Sequence, residues 1–152
     1  MHEAMDKNNR LILLSEKGRF WRVDFDALTE PERVFRAIWD LEADVNNGGF
    51  GQYYYNSSGD SAFHAVGSLM AIGAEETARL VERANSVFPD GKPPRDRSER
   101  EALLDSMTSD QDALLESLST EFFEYRDNLL ELLYGYVSQH VEQVEGAGDV
   151  GI

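Results

Sequence analysis

A chain of 152 residues is long enough for one domain whose core needs no disulfide or metal, and too short for two of ordinary size. Hydrophobic residues at 41%, with 8 Phe, 6 Tyr and 2 Trp among them, supply enough apolar surface to offset chain entropy, so an ordered fold is expected. The formal net charge of −15 disfavours nucleic acid and anionic lipid as partners, and the lack of cysteine excludes disulfides, thiol catalysis and thiolate metal sites.

Residues 1–10 are polar and mixed in charge, and read as a flexible N-terminal tail. The apolar run Leu11 to Leu14 is too short for a signal-peptide core or a membrane span, so cytoplasmic residence without membrane contact is expected. Leu11 to Leu28 fits neither the helical nor the strand period. From Thr29 the pattern sharpens. Thr29 can cap, Glu30, Pro31 and Glu32 suit a first turn, and Phe35, Ile38, Trp39, Leu41 and Val45 line one side of a helix that Asn46-Asn47-Gly48-Gly49 should stop. Phe50 with Tyr53, Tyr54 and Tyr55 predicts a short helical turn, closed by Asn56-Ser57-Ser58-Gly59-Asp60. A helix over about 61–72 would bury Phe63, Val66, Leu69, Met70 and Ile72. After Gly73 another over 74–88 would turn Ala78, Leu80, Val81, Ala84 and Val87 inward, making a hairpin. Pro89 to Pro94 reads as a surface loop, Ser98 with Glu101 as a capping box, and a further helical stretch starts near Ser109. The glycine-rich end, 146–152, reads as a second flexible tail. No strand pattern persists, so the expected fold class is all-α: one compact multi-helix domain over 11–145.

The acidity is concentrated towards the C-terminus: residues 105–152 hold 11 acids and a single base. Read as one helix, 120–144 places Glu121, Glu124, Asp127, Glu131, Glu142 and Glu145 on one side. Phe122, Tyr125, Leu129, Leu132, Leu133, Tyr136, Val137 and His140 fall on the other. Most such stripes are the solvated face of an amphipathic helix, but a solvated face normally mixes signs, and here only Arg126 interrupts, on the core side. Over the roughly 36 Å from Glu121 to Glu145, duplex DNA carries about twenty phosphates. Six carboxylates on one helix do not match that field. An imitation of DNA charge would also need Asp105, Asp110, Asp112 and Glu116, and a second copy of the chain.

The three histidines, His2, His64 and His140, sit in no metal-ligand or histidine–carboxylate spacing, and packed, hydrogen-bonded roles are expected for the last two. Asn47-Gly48-Gly49 lacks the lysine and the preceding strand of a phosphate loop, so turn geometry explains it better. Glu42 and Asp44 lie near the tyrosines, where a carboxylate could serve as a pocket base, but the signal is weak. No catalytic residue, cofactor or metal is expected.

Val45-Asn46-Asn47-Gly48-Gly49-Phe50-Gly51-Gln52-Tyr53-Tyr54-Tyr55-Asn56-Ser57-Ser58-Gly59, followed by Ala71-Ile72-Gly73-Ala74 and by Phe88-Pro89, closely resembles the motif of a bacterial family of small acidic helical proteins typified by DNA mimic protein 19. The resemblance covers about 28–140. It implies a helical, dimeric protein whose acidic surface imitates DNA and occupies the DNA-binding face of a helix-turn-helix transcription factor. The motif itself reads as structural: Gly48 and Gly49 suit a C-cap and turn, Phe50 and the tyrosines suit core, and Asn56 to Ser58 suit capping. Two rival readings stand beside this one: an antidote protein plugging a basic nuclease toxin, and a ligand-binding or enzymatic domain with a pocket around Trp39, Phe50 and Tyr53.

Overall fold

The computed structural model describes residues 2–152, with side chains from Asp6 onward. Among these residues are seven α-helices and no strand: α1 (His2–Lys17), α2 (Glu30–Tyr55), α3 (Ala65–Ala71), α4 (Glu75–Asn85), α5 (Arg97–Asp105), α6 (Ser109–Phe122) and α7 (Leu129–Ser138), several joined by 3₁₀ turns. None of these helices is long and apolar enough to cross a membrane.

The axis of the fold is α2, which packs against the 57–64 turn and against α3, α5, α6 and α7. It starts where the sequence indicates. The Thr29 hydroxyl accepts from the Glu32 amide at 3.3 Å while the Glu32 carboxylate accepts from the Thr29 amide at 2.9 Å, so two unpaired donors of the first turn are satisfied together. Val34, Ile38, Leu41 and Val45 are buried, and Phe35 stacks on Phe20 at 4.3 Å and on Trp39 at 5.1 Å.

Asn46 to Gly49 does not end this helix but kinks it. Helical turns resume at Phe50, across non-helical dihedrals at Gly48 and Gly49. Gly49 has φ 81° and ψ −178°, a region essentially reserved for glycine, and a Cβ there would stand 2.9 Å from Ser119 Oγ. The kink re-aims the chain so that Phe50, Tyr53 and Tyr54 are fully buried, while Tyr55 faces outward.

Other elements depart from expectation for identifiable reasons. The helix expected over 61–72 begins as a 3₁₀ segment, Ser57–His64, whose tighter winding of about three residues per turn rotates Phe63 out to solvent. Met70 is exposed as well, whereas Leu69 and Ile72 are buried. The cap of α5 is Asp96, which is extended and accepts from the Glu99 amide at 3.0 Å, in place of Ser98 with Glu101. The ends differ too. Residues 2–10 belong to α1, and the part of that expected tail on Met1 lies outside the described residues. The glycine-rich end folds back, with Ala147 fully buried, Val150 and Ile152 against the core, and the Gly151 carbonyl accepting from Arg10.

The largest correction concerns the expected acidic helix over 120–144. α6 stops at Phe122, Tyr125 takes φ 47°, and Asn128 caps a separate α7 by accepting from the Glu131 amide at 3.2 Å. Periodicity alone runs through this break because Asp127 and Asn128 sit at positions that look polar and surface-facing in a continuous helix. Their short side chains instead find backbone donors outside α6. Arg126, expected to pack along the core side, is exposed.

Candidate functional site

Between Arg100 and Arg126 the chain carries seven acids and no base. Glu101 pairs with Arg97 at 3.0 Å, one turn away on α5. The next four, Asp105, Asp110, Asp112 and Glu116, are exposed and have no cation within 4 Å among the described residues. Thr108 and Gln111 form the capping box of α6. Asp110 and Asp112 lie in its first turn, where the helix dipole favours negative charge and offsets part of their mutual repulsion. Local structure thus tolerates this cluster, and nothing nearby neutralises it.

The second group of sequence-selected acids is scattered by the break after α6, and several of its members have structural employment. Glu121 is bracketed by Arg83 at 3.4 Å and Arg126 at 3.9 Å, and Glu124 holds Arg126 at 2.9 Å. Asp127 accepts from the Thr77 amide at 2.7 Å and hydroxyl at 2.8 Å, fastening the start of α4. Glu131 meets Lys7 at 2.8 Å, and Glu145 lies 3.5 Å from Arg22. Glu142 is exposed in the 3₁₀ turn after α7. These six therefore do not lie along one helix.

The break itself is docked on α2. Tyr125 donates to Glu42 at 3.0 Å and accepts from Asn46 at 2.6 Å. Burial, with the Glu42 charge beside it, pushes the Tyr125 hydroxyl up to about 12, so it stays a donor at neutral pH. Burial also raises the Glu42 carboxyl, and the tyrosine bond opposes that rise. Glu42 therefore positions the turn. Asp44 accepts from Gln52 at 3.1 Å across the kink.

Beside this turn, the kink of α2 and the outer face of α6 enclose a groove of about 540 Å³, lined by Asn46 to Gly51 on one side and by Asp112, Glu116, Ser119 and Phe123 on the other. The Phe50 amide donates to Ser119 Oγ at 2.9 Å, and Ser119 Oγ donates to the Leu115 carbonyl at 2.8 Å, which ties the two walls together. The glycine motif is thus the seat on which the acidic helix rests. Sequence reasoning did not find Phe123 or Tyr125 as parts of this surface. For Phe123 the one signal was an aromatic among acids with no apolar partner at helical spacing, while Tyr125, three residues from Phe122 and four from Leu129, was assigned to the apolar face by the assumption of a continuous helix.

A shared pocket around Trp39, Phe50 and Tyr53 does not form, because Phe50 and Tyr53 are fully buried. Trp39 lines a different hollow, with Leu11, Ile12, Leu130 and Leu133. His64 lies 2.6 Å from Glu30 and His140 lies 2.7 Å from the Tyr136 carbonyl, so both have local partners. No group of three or more His, Asp or Glu side chains among the described residues could hold a metal ion.

No curated protein and no solved structure matches the chain. A family model does: that of the DMP19-like proteins, over residues 26–140, which takes in α2 with its glycine kink, the acidic α6 and the whole of α7. The match covers well over half of the sequence, and the chain belongs to the DMP19-like protein family, that of DNA mimic protein 19.

Proposed function

We propose that this protein is a DNA mimic that binds the DNA-reading surface of a helix-turn-helix transcription factor and blocks its operator binding by competition. The observation that carries the reading is the run Asp105, Asp110, Asp112 and Glu116, exposed and without cations in a stretch from Arg100 to Arg126 that holds no base. Unpaired carboxylates keep their field for an incoming Lys or Arg, and each charge-assisted bond made there is stronger than a neutral one. In this reading the protein works in the cytoplasm as a homodimer, and touches neither nucleic acid nor membrane.

Magnitudes limit what is imitated. The 14 residues of α6 span about 21 Å, over which a duplex carries on the order of twelve phosphate charges. Four or five carboxylates cannot reproduce a turn of DNA, but they suffice for the few phosphates that one recognition helix touches. Glu142 and the paired or partly paired Glu121, Glu124, Asp127, Glu131 and Glu145 add to the long-range potential more than to contacts.

The test is an affinity capture from lysate at low salt, eluted by a salt gradient and read by mass spectrometry. The control is the variant Asp105→Asn, Asp110→Asn, Asp112→Asn and Glu116→Gln. A helix-turn-helix regulator captured by the native chain and lost by the variant supports the reading. A partner retained at high salt, or retained by the variant, refutes electrostatic imitation.

A further inference from the structure

We propose that the hollow between α1, α2 and α7 is a binding site for a small organic ammonium ion, an amine carried on an apolar aryl or alkyl body. The proposal does not depend on the DNA-mimic reading. The hollow encloses about 350 Å³, a size that admits a molecule of that kind. Leu11 and Ile12 of α1 and Leu130 and Leu133 of α7 give it apolar walls, and Trp39 and Glu42, three residues apart on α2, form its third side. Phe35, fully buried, stacks on Trp39 at 5.1 Å and steadies the indole against the hollow.

Glu42 is the one charged side chain of this lining among the described residues. Its carboxylate accepts a single hydrogen bond, from Tyr125 at 3.0 Å, and no cation lies within 4 Å of it among the described residues. The second oxygen has no protein partner and is not sealed off, because the buried side-chain polar atoms without partners are Arg36 Nε and Tyr53 Oη. Burial raises the Glu42 carboxyl, so its charge is held at a cost. The Tyr125 turn does not account for that cost, since a glutamine carbonyl would accept the same bond without a charge. An ammonium does account for it: the cation donates to the free oxygen, neutralises the carboxylate and lies within reach of the indole, while its apolar body covers the leucines. A single carboxylate does not hold a divalent metal, and an anion would be repelled.

The experiment is a ¹H–¹⁵N NMR titration of the full chain at neutral pH with phenethylamine and, in parallel, with the neutral phenethyl alcohol. Salt at about 0.15 M screens the exposed carboxylates. Saturable shifts are expected at the amides of 8–12, 39–46 and 130–133 and at the Trp39 indole N–H, with the Trp21 indole, bonded to Asp40 at 2.9 Å, unmoved. The amine should bind about fivefold or more tighter than the alcohol, because a hydrogen bond between charged groups exceeds a neutral one. Glu42→Gln, which keeps an acceptor for Tyr125, should erase that preference. Ala43→Leu, at an exposed position of the lining, should weaken both probes about fivefold or more. Circular dichroism checks the folding of each, and Ala43→Leu carries the test if Glu42→Gln unfolds. Absence of saturation, equal affinity for the two probes, a preference kept by Glu42→Gln, full binding by Ala43→Leu, or shifts centred on α6 would overturn the site. So would signals at the hollow that move with protein concentration alone, which would give it to a second copy of the chain. The variant at Asp105, Asp110, Asp112 and Glu116 should bind the amine as tightly as the native chain, and a loss there would trace binding to surface charge. The capture assay and this titration therefore fail independently.

Discussion

Replacing Gly49 with alanine and, separately, Gly51 with alanine should move stability in opposite directions, although the two residues lie two apart in one helix. In a regular helix interior, glycine to alanine stabilises by about 1 kcal/mol, because the unfolded chain loses freedom and the helix gains a better former. Gly51 meets that condition, with ordinary dihedrals and open space around a new Cβ, so Gly51→Ala should gain about 0.5–1 kcal/mol. Gly49 does not. Its dihedrals of 81° and −178° cost an L residue about 1–3 kcal/mol, and the Cβ would press on Ser119 Oγ at 2.9 Å, against a hydroxyl held by two hydrogen bonds. Relief by moving Ser119 forfeits the Phe50 amide bond, which adds about 1 kcal/mol, so Gly49→Ala should lose about 2–4 kcal/mol in total. Urea unfolding followed by circular dichroism reads both effects as midpoint shifts at constant slope. Combining Gly49→Ala with Ser119→Ala should recover part of the loss through the steric term while leaving the backbone term. If Gly49→Ala is neutral or stabilising, the kink is not held by glycine's dihedral freedom, and the account of how the acidic helix is seated fails.

Glu32 is fully buried and accepts from Arg19, from the Thr29 amide and from the Glu145 amide, linking the start of α2 to the C-terminal segment. Burial pushes its carboxyl up, but these bonds outweigh that and hold it below the usual glutamate range. Its contribution is therefore present above the unfolded pKa and lost as pH falls through the folded one. Glu32→Gln should cost about 2–3 kcal/mol by thermal or urea unfolding at pH 7, less than for a fully enclosed pair because Arg19 is one-third exposed. Asp40 behaves with the opposite sign. Burial raises it to about 6 despite bonds from Trp21 at 2.9 Å and Ser61 at 2.8 Å, so its stabilising balance is complete below about pH 4 and is lost as pH rises through 6. Native protein compared with Asp40→Asn across pH 4–7 should show a difference in unfolding midpoint that changes over that window and is flat above it; a flat difference throughout would refute the assignment. Arg100, fully buried, donates to the carbonyls of Tyr54, Asn56, Pro94 and Arg95 and to Asp60. Lysine has three donors and cannot serve five acceptors, so Arg100→Lys should destabilise by about 3 kcal/mol or more, and a loss under about 1 kcal/mol would show that water replaces the guanidinium.

The helices that carry their own start signals and apolar stripes were legible in the sequence. Thr29, Pro31 and Glu32 announce α2, the stripe from Phe35 to Val45 fixes its buried side, and Gly73 separates α3 from α4, because capping and periodicity are interactions among near neighbours. The all-α class and the concentration of acid beyond Arg100 follow from the same local reading. Other features rest on partners far along the chain. The kink at Gly49 exists because Ser119 waits for the Phe50 amide, the break after Phe122 because Tyr125 reaches Glu42 and Asp127 reaches Thr77, and the helical N-terminus because Lys7 meets Glu131. Those contacts divide the acids into structural and unpaired sets and open a groove beside the unpaired ones. A helical wheel counts only rotation about one axis. Which carboxylates remain available to a partner is decided by where other helices bring their arginines and amides.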